Sequence, residues 1–269
     1  MLFRFALQEE RSGLRQNDFE DAEVNTWIGR VEGLESQPVA AALCEFDCRN
    51  NRLAQLGLRQ DGFEQAVARA RQKYGAARIA VLIGTSTSGI LETELAYRKR
   101  NPANGALPES LHYRYSHNLF SVADFVRRYL RLEGPSLVIS TACSSSAKVF
   151  AGAHRFIEAG LCDAAVVGGV DSLCLTTLHG FASLELLSDQ PCRPCDAKRN
   201  GISIGEAAGF ALLERQEIGA AEIAFLGYGE SSDAYHMSTP HPQGEGARLS
   251  MHKALNCAVL TVADIDYAH

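Results

Sequence analysis

Between Ser136 and Gly160 the chain reads SLVISTACSSSAKVFAGAHRFIEAG, the stretch that most restricts how it can fold. Leu137 to Ser140 is a short apolar run rich in β-branched residues, the pattern of a buried strand. A turn of small residues follows, Thr141-Ala142-Cys143-Ser144. Ala147, Phe150, Ala153 and Ile157 then recur at helical spacing, and Gly160 sits where a C-terminal cap belongs. Cys143 therefore falls where a buried strand meets a helix N-terminus, and the unpaired amides there favour negative charge. Two readings of it stand: a nucleophile poised at the junction, or a small hydrophobe, as most free cysteines are. Ser144, Ser145 and Ser146 suit a crowded helix start and equally suit ordinary N-cap chemistry.

The same alternation continues on both sides. Residues 45–75 read as two helices, the second closed by Gly75. IAVLIGTS at 79–86 is a buried strand entering a small-residue loop, and helical patterns follow at 90–100 and 118–132. AAVVGGV at 164–170 is a second buried strand, and a helix is expected around SLELLS. GEAAGFALLE at 205–214 and EIAFLGYGESSD at 222–233 read as strands, 247–258 as a helix, and Asp264 to His269 as the start of another strand. The first forty residues show no strong strand. Apolar strands separated by helices predict an α/β fold, with a mixed, mostly buried sheet and helices on both faces. No repeat or linker divides the chain, so 1–269 is expected to be one domain.

Several function classes fall away on composition. A net charge of −6 is the wrong sign for a nucleic-acid binder. No apolar run approaches the roughly 20 residues that span a bilayer, and MLFRFALQEERSGLR has no signal-peptide core. Eight cysteines, mostly in apolar segments, read as reduced thiols. The expectation is a cytoplasmic protein with no nucleic-acid or membrane partner.

Other chemistry is less well supported. Cys192-Arg-Pro-Cys195 is a C-x-x-C, and with Cys44 and Cys48 it makes an imaginable four-thiolate zinc site, but no histidine pair supports it. A redox reading needs Cys192 to open a helix, and polar residues follow Cys195 instead. Gly84-Thr-Ser-Thr-Ser-Gly89 lacks the lysine of a phosphate-binding loop. His154, His179, His236 and His241 are scattered, and no G-x-S-x-G elbow is present.

TACSSS, with a strand before it and a small-residue helix after it, resembles the nucleophile site of the β-ketoacyl-acyl-carrier-protein synthases. GTSTSGILETE, CDAAVVGGVDSL, GFASLELLS, RPCDAKRNGISIGEAAGFALLE and GYGESSDAYHMSTPHPQGEGA look like further landmarks of that family, in family order, from about Asn50 onward. The resemblance implies a thiolase-like fold and a homodimer. It implies a decarboxylative condensation of an acyl thioester with malonyl carrier protein, by way of an acyl-cysteine and without metal or organic cofactor. Cys143 matches the nucleophile, whose backbone N–H is also part of the oxyanion hole. Phe181 matches a position near the acyl pocket. Arg49 and Arg52 match basic residues that meet the acidic acyl carrier protein, the implied partner.

Parts of the family pattern are missing. The first strand and glycine-rich loop should precede the Arg11-Ser12-Gly13-Leu14 segment, but Met1 falls inside the helix after them. The second half should supply two histidines, one in an H-G-T-x-T loop, and a lysine. Neither histidine motif occurs, although His269 stands roughly where the first histidine belongs. The sequence therefore predicts the N-terminal part of a β-ketoacyl synthase, its second half missing or incomplete. A truncated non-catalytic homologue or partner subunit is one alternative. An unrelated cysteine hydrolase, which needs a histidine beside Cys143, is another.

Overall fold

A computed structural model describes residues 8, 9, 11–215, 223–236 and 239–267. Among these, the strands form two sheets. The larger one contains β3 (Ile79–Gly84), β4 (Ser136–Ile139), β5 (Ala164–Asp171) and β7 (Ala207–Glu214) in the order β4-β3-β5-β7. β3 pairs parallel with both β4 and β5, while β7 closes the other edge antiparallel to β5. The smaller sheet joins β1 (Leu14–Gln16), β2 (Trp27–Gly29) and β6 (Ile204–Gly205).

Strand side chains alternate between the two faces, and the alternation builds two cores. Ile79, Val81 and Ile83 point to one face and pack with Leu53, Leu58, Val67, Phe125 and Val126. Those residues come from three helices: α1 (Arg49–Leu58), α2 (Phe63–Tyr74) and α4 (Phe120–Tyr129). Ala80 and Leu82 point to the other face and meet Val149, Ala153 and Ile157 of α5 (Ser145–Glu158). Gly160 takes φ 70° after α5, and Leu161 N–H reaches back to Phe156 O, closing the helix as its glycine predicts. A third cluster, with Phe19, Ile28, Leu91, Leu173 and Leu178, joins the small sheet to α3 (Ile90–Arg98) and α6 (Leu175–Ser183). The α/β reading with helices on both faces holds.

Some sequence readings do not survive. β4 is half-buried rather than fully buried, because it is an edge strand with β3 as its neighbour. The helix expected around SLELLS lies earlier, at Leu175–Ser183, and Leu184 and Leu186 are exposed in the turn after it. Residues 223–233 are not a strand. Gly227 and Gly229 there press against the backbone of α7 (Glu245–Ala258), and the segment packs on a helix instead of pairing in a sheet. Val262–Asp264 forms a 3-10 turn where a strand was expected to begin. The 3-residue strands β1 and β2 went unpredicted because a strand that short carries too little alternation to register.

One buried carboxylate ties these layers together. The side chain of Glu206, between β6 and β7, is fully enclosed. It accepts hydrogen bonds from Val31 N–H at 2.8 Å, Leu173 N–H at 3.0 Å, and Arg49 Nε and Nη2 at 2.8 and 2.5 Å. The small sheet, α1 and the chain after β5 thus share one anion.

Candidate active site

The turn carrying Cys143 lies beyond β4, at the edge where the three parallel strands end, the usual place for a site in such sheets. Ala142 adopts φ +54°, a left-handed conformation uncommon outside glycine, which reverses the chain within two residues. Side chains of the following serines hold it. Ser145 Oγ accepts from Thr141 N–H at 2.8 Å and donates to Ala142 O at 2.6 Å. Ser144 Oγ donates to Thr141 O at 3.0 Å. No side chain caps α5, so these serines brace the turn rather than the helix.

Close packing then fixes the first turn of α5. A Cβ on Gly84 would lie 2.5 Å from Ser145 C and Ser146 N, and one on Gly169 would lie 2.4 Å from Ser146 Cβ. The ends of β3 and β5 thus carry glycine where the helix presses on them. Cys143 itself is exposed and free. Beside it, Ser146, Ala147 and Phe150 line an open groove of about 680 Å³ whose other wall is Gly169, Asp171, Ala207 and Gly209.

The Gly84–Gly89 loop already holds an anion from its own chain. Asp171 Oδ1 lies 2.6 Å from Ser86 N and 2.9 Å from Thr87 N, within reach of the Thr85, Ser86 and Thr87 hydroxyls. That is where the loop's donors go, and it leaves the phosphate reading without support.

Phe181 is half-buried near the end of α6. Sequence reasoning missed what aims this helix: Glu94 of α3 accepts from Leu175 N–H and Thr176 N–H at 2.8 and 2.7 Å, satisfying its first amides. The signal available was a carboxylate inside an otherwise ordinary helix, too common to read.

The arginines are placed otherwise than expected. Arg49 is 7% exposed, bonded to Glu206 and Glu35 and stacked over Phe19 at 5.2 Å, so it faces inward and offers no surface to a carrier protein. The missed signal was Glu206, a lone charge entering an apolar strand, which demands a buried partner. Arg52 is partly exposed, but its guanidinium grips Asp47 through two bonds of 2.7 and 2.6 Å and also donates to Glu35 O. His269 lies outside the described residues.

Histidines do not complete the site among the described residues. His117 bonds to Thr93 Oγ1 at 2.8 Å, and His154 packs edge-on to Tyr228 at 5.5 Å. Among the described residues, no histidine is hydrogen-bonded to Cys143, and no group of three or more metal-ligating side chains gathers at any point.

A cysteine elbow at the carboxyl edge of a mostly parallel sheet, backed by a helix laid on glycines, is the arrangement of a thiolase-like fold. The family model for the β-ketoacyl synthase N-terminal domain matches residues 53–218, more than half the chain, and takes in Cys143 and Phe181. The chain belongs to the β-ketoacyl synthase family. Among curated proteins it is 41% identical over 150 residues to the 3-oxoacyl-[acyl-carrier-protein] synthase 2 of Rhizobium meliloti, across 51% of this chain and 36% of that one. It is 34% identical to the protein of the same name in Vibrio cholerae, across 72% of this chain and 50% of that one. Among solved structures, a ketosynthase in complex with its chain length factor from Xenorhabdus doucetiae is similar at a TM-score of 0.80 and 38% identity, covering 94% of this chain and 61% of that one. The chain thus spans half or less of the length of these curated relatives.

Proposed function

We propose that this chain is the acyl-accepting part of a β-ketoacyl-carrier-protein synthase, working in fatty acid or polyketide synthesis. The observation that carries the reading is the exposed Cys143 on a braced turn at the start of α5, within a family whose relatives are named for acyl-carrier-protein condensation. In this reading Cys143 Sγ gives up its proton and attacks the thioester carbonyl. The carbon–sulfur bond to the carrier breaks, and the carrier thiol leaves with a proton. Backbone N–H groups at the turn, that of Cys143 among them, stabilise the oxyanion; one such donor is commonly worth about 3–4 kcal/mol. Loss of carbon dioxide from a malonyl thioester then supplies the carbon nucleophile that takes the acyl group and frees the cysteine. In the family that step draws on two histidines and a lysine.

Acyl carrier protein is the partner this reading requires. Arg114, exposed in the loop before α4, is a freer cation for it than Arg49 or Arg52. The expected homodimer has one supporting feature, the open edge of β4, a row of backbone groups able to pair with another strand. Incubation with an acyl thioester or a cerulenin-type electrophile, followed by peptide mass spectrometry, tests the function. An adduct on Cys143, lost in Cys143→Ala, is expected; labelling elsewhere or none would refute it.

A second reading has its own observation. Ile223, Leu226, Met251, Val259, Val262 and Tyr267 are each exposed in the last part of the chain, apolar surface of the kind a partner covers. A non-catalytic subunit of a longer synthase would cover it. Co-purification with such a synthase, with no adduct on Cys143, would favour this reading.

A further inference from the structure

We propose that Asp171 is a positioning residue for the Cys143 turn, acting through the Thr85–Ser88 loop. This rests on Cys143 being the reactive thiol. Asp171 ends β5, and its Oδ1 gathers the amides of Ser86 and Thr87 at 2.6 and 2.9 Å and the hydroxyls of Thr85, Ser86 and Thr87 at 3.0–3.1 Å. The hydroxyls are engaged on both sides. Thr85 Oγ1 also accepts from Ser88 N–H at 2.9 Å, and Thr87 Oγ1 from Ser172 N–H at 3.1 Å. One carboxylate oxygen therefore organises every residue of the loop, including Ser88, which is held at φ +47°.

The loop is joined directly to the nucleophile turn. Thr85 N–H donates to the carbonyl of Ile139, the last residue of β4, at 3.2 Å. Gly84, one residue before it, carries Ser145 and Ser146 of α5 on its face. Asp171 thus fixes the end of β3, and the end of β3 fixes the chain on both sides of Cys143. The second carboxylate oxygen, Oδ2, has no hydrogen-bond partner among the described residues. Asp171 also lines the groove beside Ser146 and Ala147. An amide oxygen in the place of Oδ1 can still accept from the Ser86 and Thr87 N–H groups, so asparagine keeps the two backbone anchors.

The chain carries its own controls for a test. Cys44, Cys195 and Cys257 are exposed thiols elsewhere, and Cys48, Cys162 and Cys174 are buried. The experiment measures iodoacetamide alkylation at each cysteine by mass spectrometry, over a range of pH, for wild type, Asp171→Ala and Asp171→Asn. Iodoacetamide reads the placement of Cys143 whether or not the chain transfers acyl groups, so failure here is distinct from failure of the proposed function. Asp171→Ala is expected to change the Cys143 rate by about tenfold and to shift its pH profile, as misplacement of a reactive group does. Cys44, Cys195 and Cys257 should react as before, and the buried thiols should stay silent. Asp171→Asn should restore the Cys143 rate to within about twofold. An unchanged rate and pH profile in Asp171→Ala overturns the proposal, and so does labelling of the buried thiols in step with Cys143. If Asp171→Ala does not fold, Thr87→Val replaces it: the same selective change supports the proposal, and no change overturns it.

Discussion

Cysteines in this chain meet opposite environments. Burial pushes the Cys48 thiol from its ordinary 9.0 up to about 12, its Sγ lying against Gly89. Its folded value is raised, so the neutral thiol is favoured in the fold. Stability from this group is complete below about pH 9 and drains as pH rises from there toward 12. Chemical unfolding of wild type and Cys48→Ala across this range should show a constant gap in midpoint up to about pH 9 that narrows above it. A gap that stays constant would contradict the assignment. The strand and small-residue turn before it single out Cys143 in the sequence, but which of the two thiols is buried is not legible there, since both lie just ahead of a helix. What separates them is the packing of α3 and of the 112–118 segment over Cys48, set by residues more than 40 positions away.

Among the elements, α5 depends on how closely it approaches β3. Gly84→Ala places a methyl group 2.5 Å from the helix backbone, which must then lift. Overpacking of this kind commonly costs about 1–3 kcal/mol, readable as a lower urea midpoint, and here it should also slow acylation of Cys143. Glu206→Ala acts on different elements. It leaves Arg49 buried with Glu35 as its remaining carboxylate, and a broken buried pair costs about 3–5 kcal/mol. Thermal unfolding should show that loss, with the Cys143 adduct still forming in whatever fraction stays folded. β3 and β5 were legible because strands enclosed on both faces are apolar without interruption, as IAVLIG and AAVVGG are. Residues 223–229 deceived for the same reason: AFLGYG has a strand's composition, but a strand needs a neighbouring edge, and composition says nothing of edges. Arg49 deceived in the other direction, because its destination depends on a carboxylate about 160 positions later, whereas Arg52 is held by Asp47 only five residues before it.

At the scale of the whole molecule, carboxylates held low set its acid limit. Burial would raise Glu35, but hydrogen bonds from Arg30 and Arg49 outweigh it and bring the carboxyl down to about 2. Asp47 beside Arg52, Asp163 beside Arg78, and Glu230 beside Lys148 and Arg155 are lowered as well. A carboxyl with a depressed folded value adds stability above its unfolded value and loses it as pH falls through the folded one. For Glu35 that window runs from 4.5 down to about 2. The urea midpoint should be flat between about pH 5 and pH 9 and fall steadily below about 4.5, less steeply in Glu35→Gln. An equal slope in the variant would remove Glu35 from the account.

The bond from Asp171 to the Thr85–Thr87 loop spans more than 80 residues of chain. A ribosome that has released β3, β4 and the cysteine turn has not yet delivered the residue that locks their ends together. Contacts so distant in sequence form late in folding. Thiol reactivity at Cys143, followed after dilution from denaturant, then becomes a clock: it reports when β5 docks rather than when the chain first collapses.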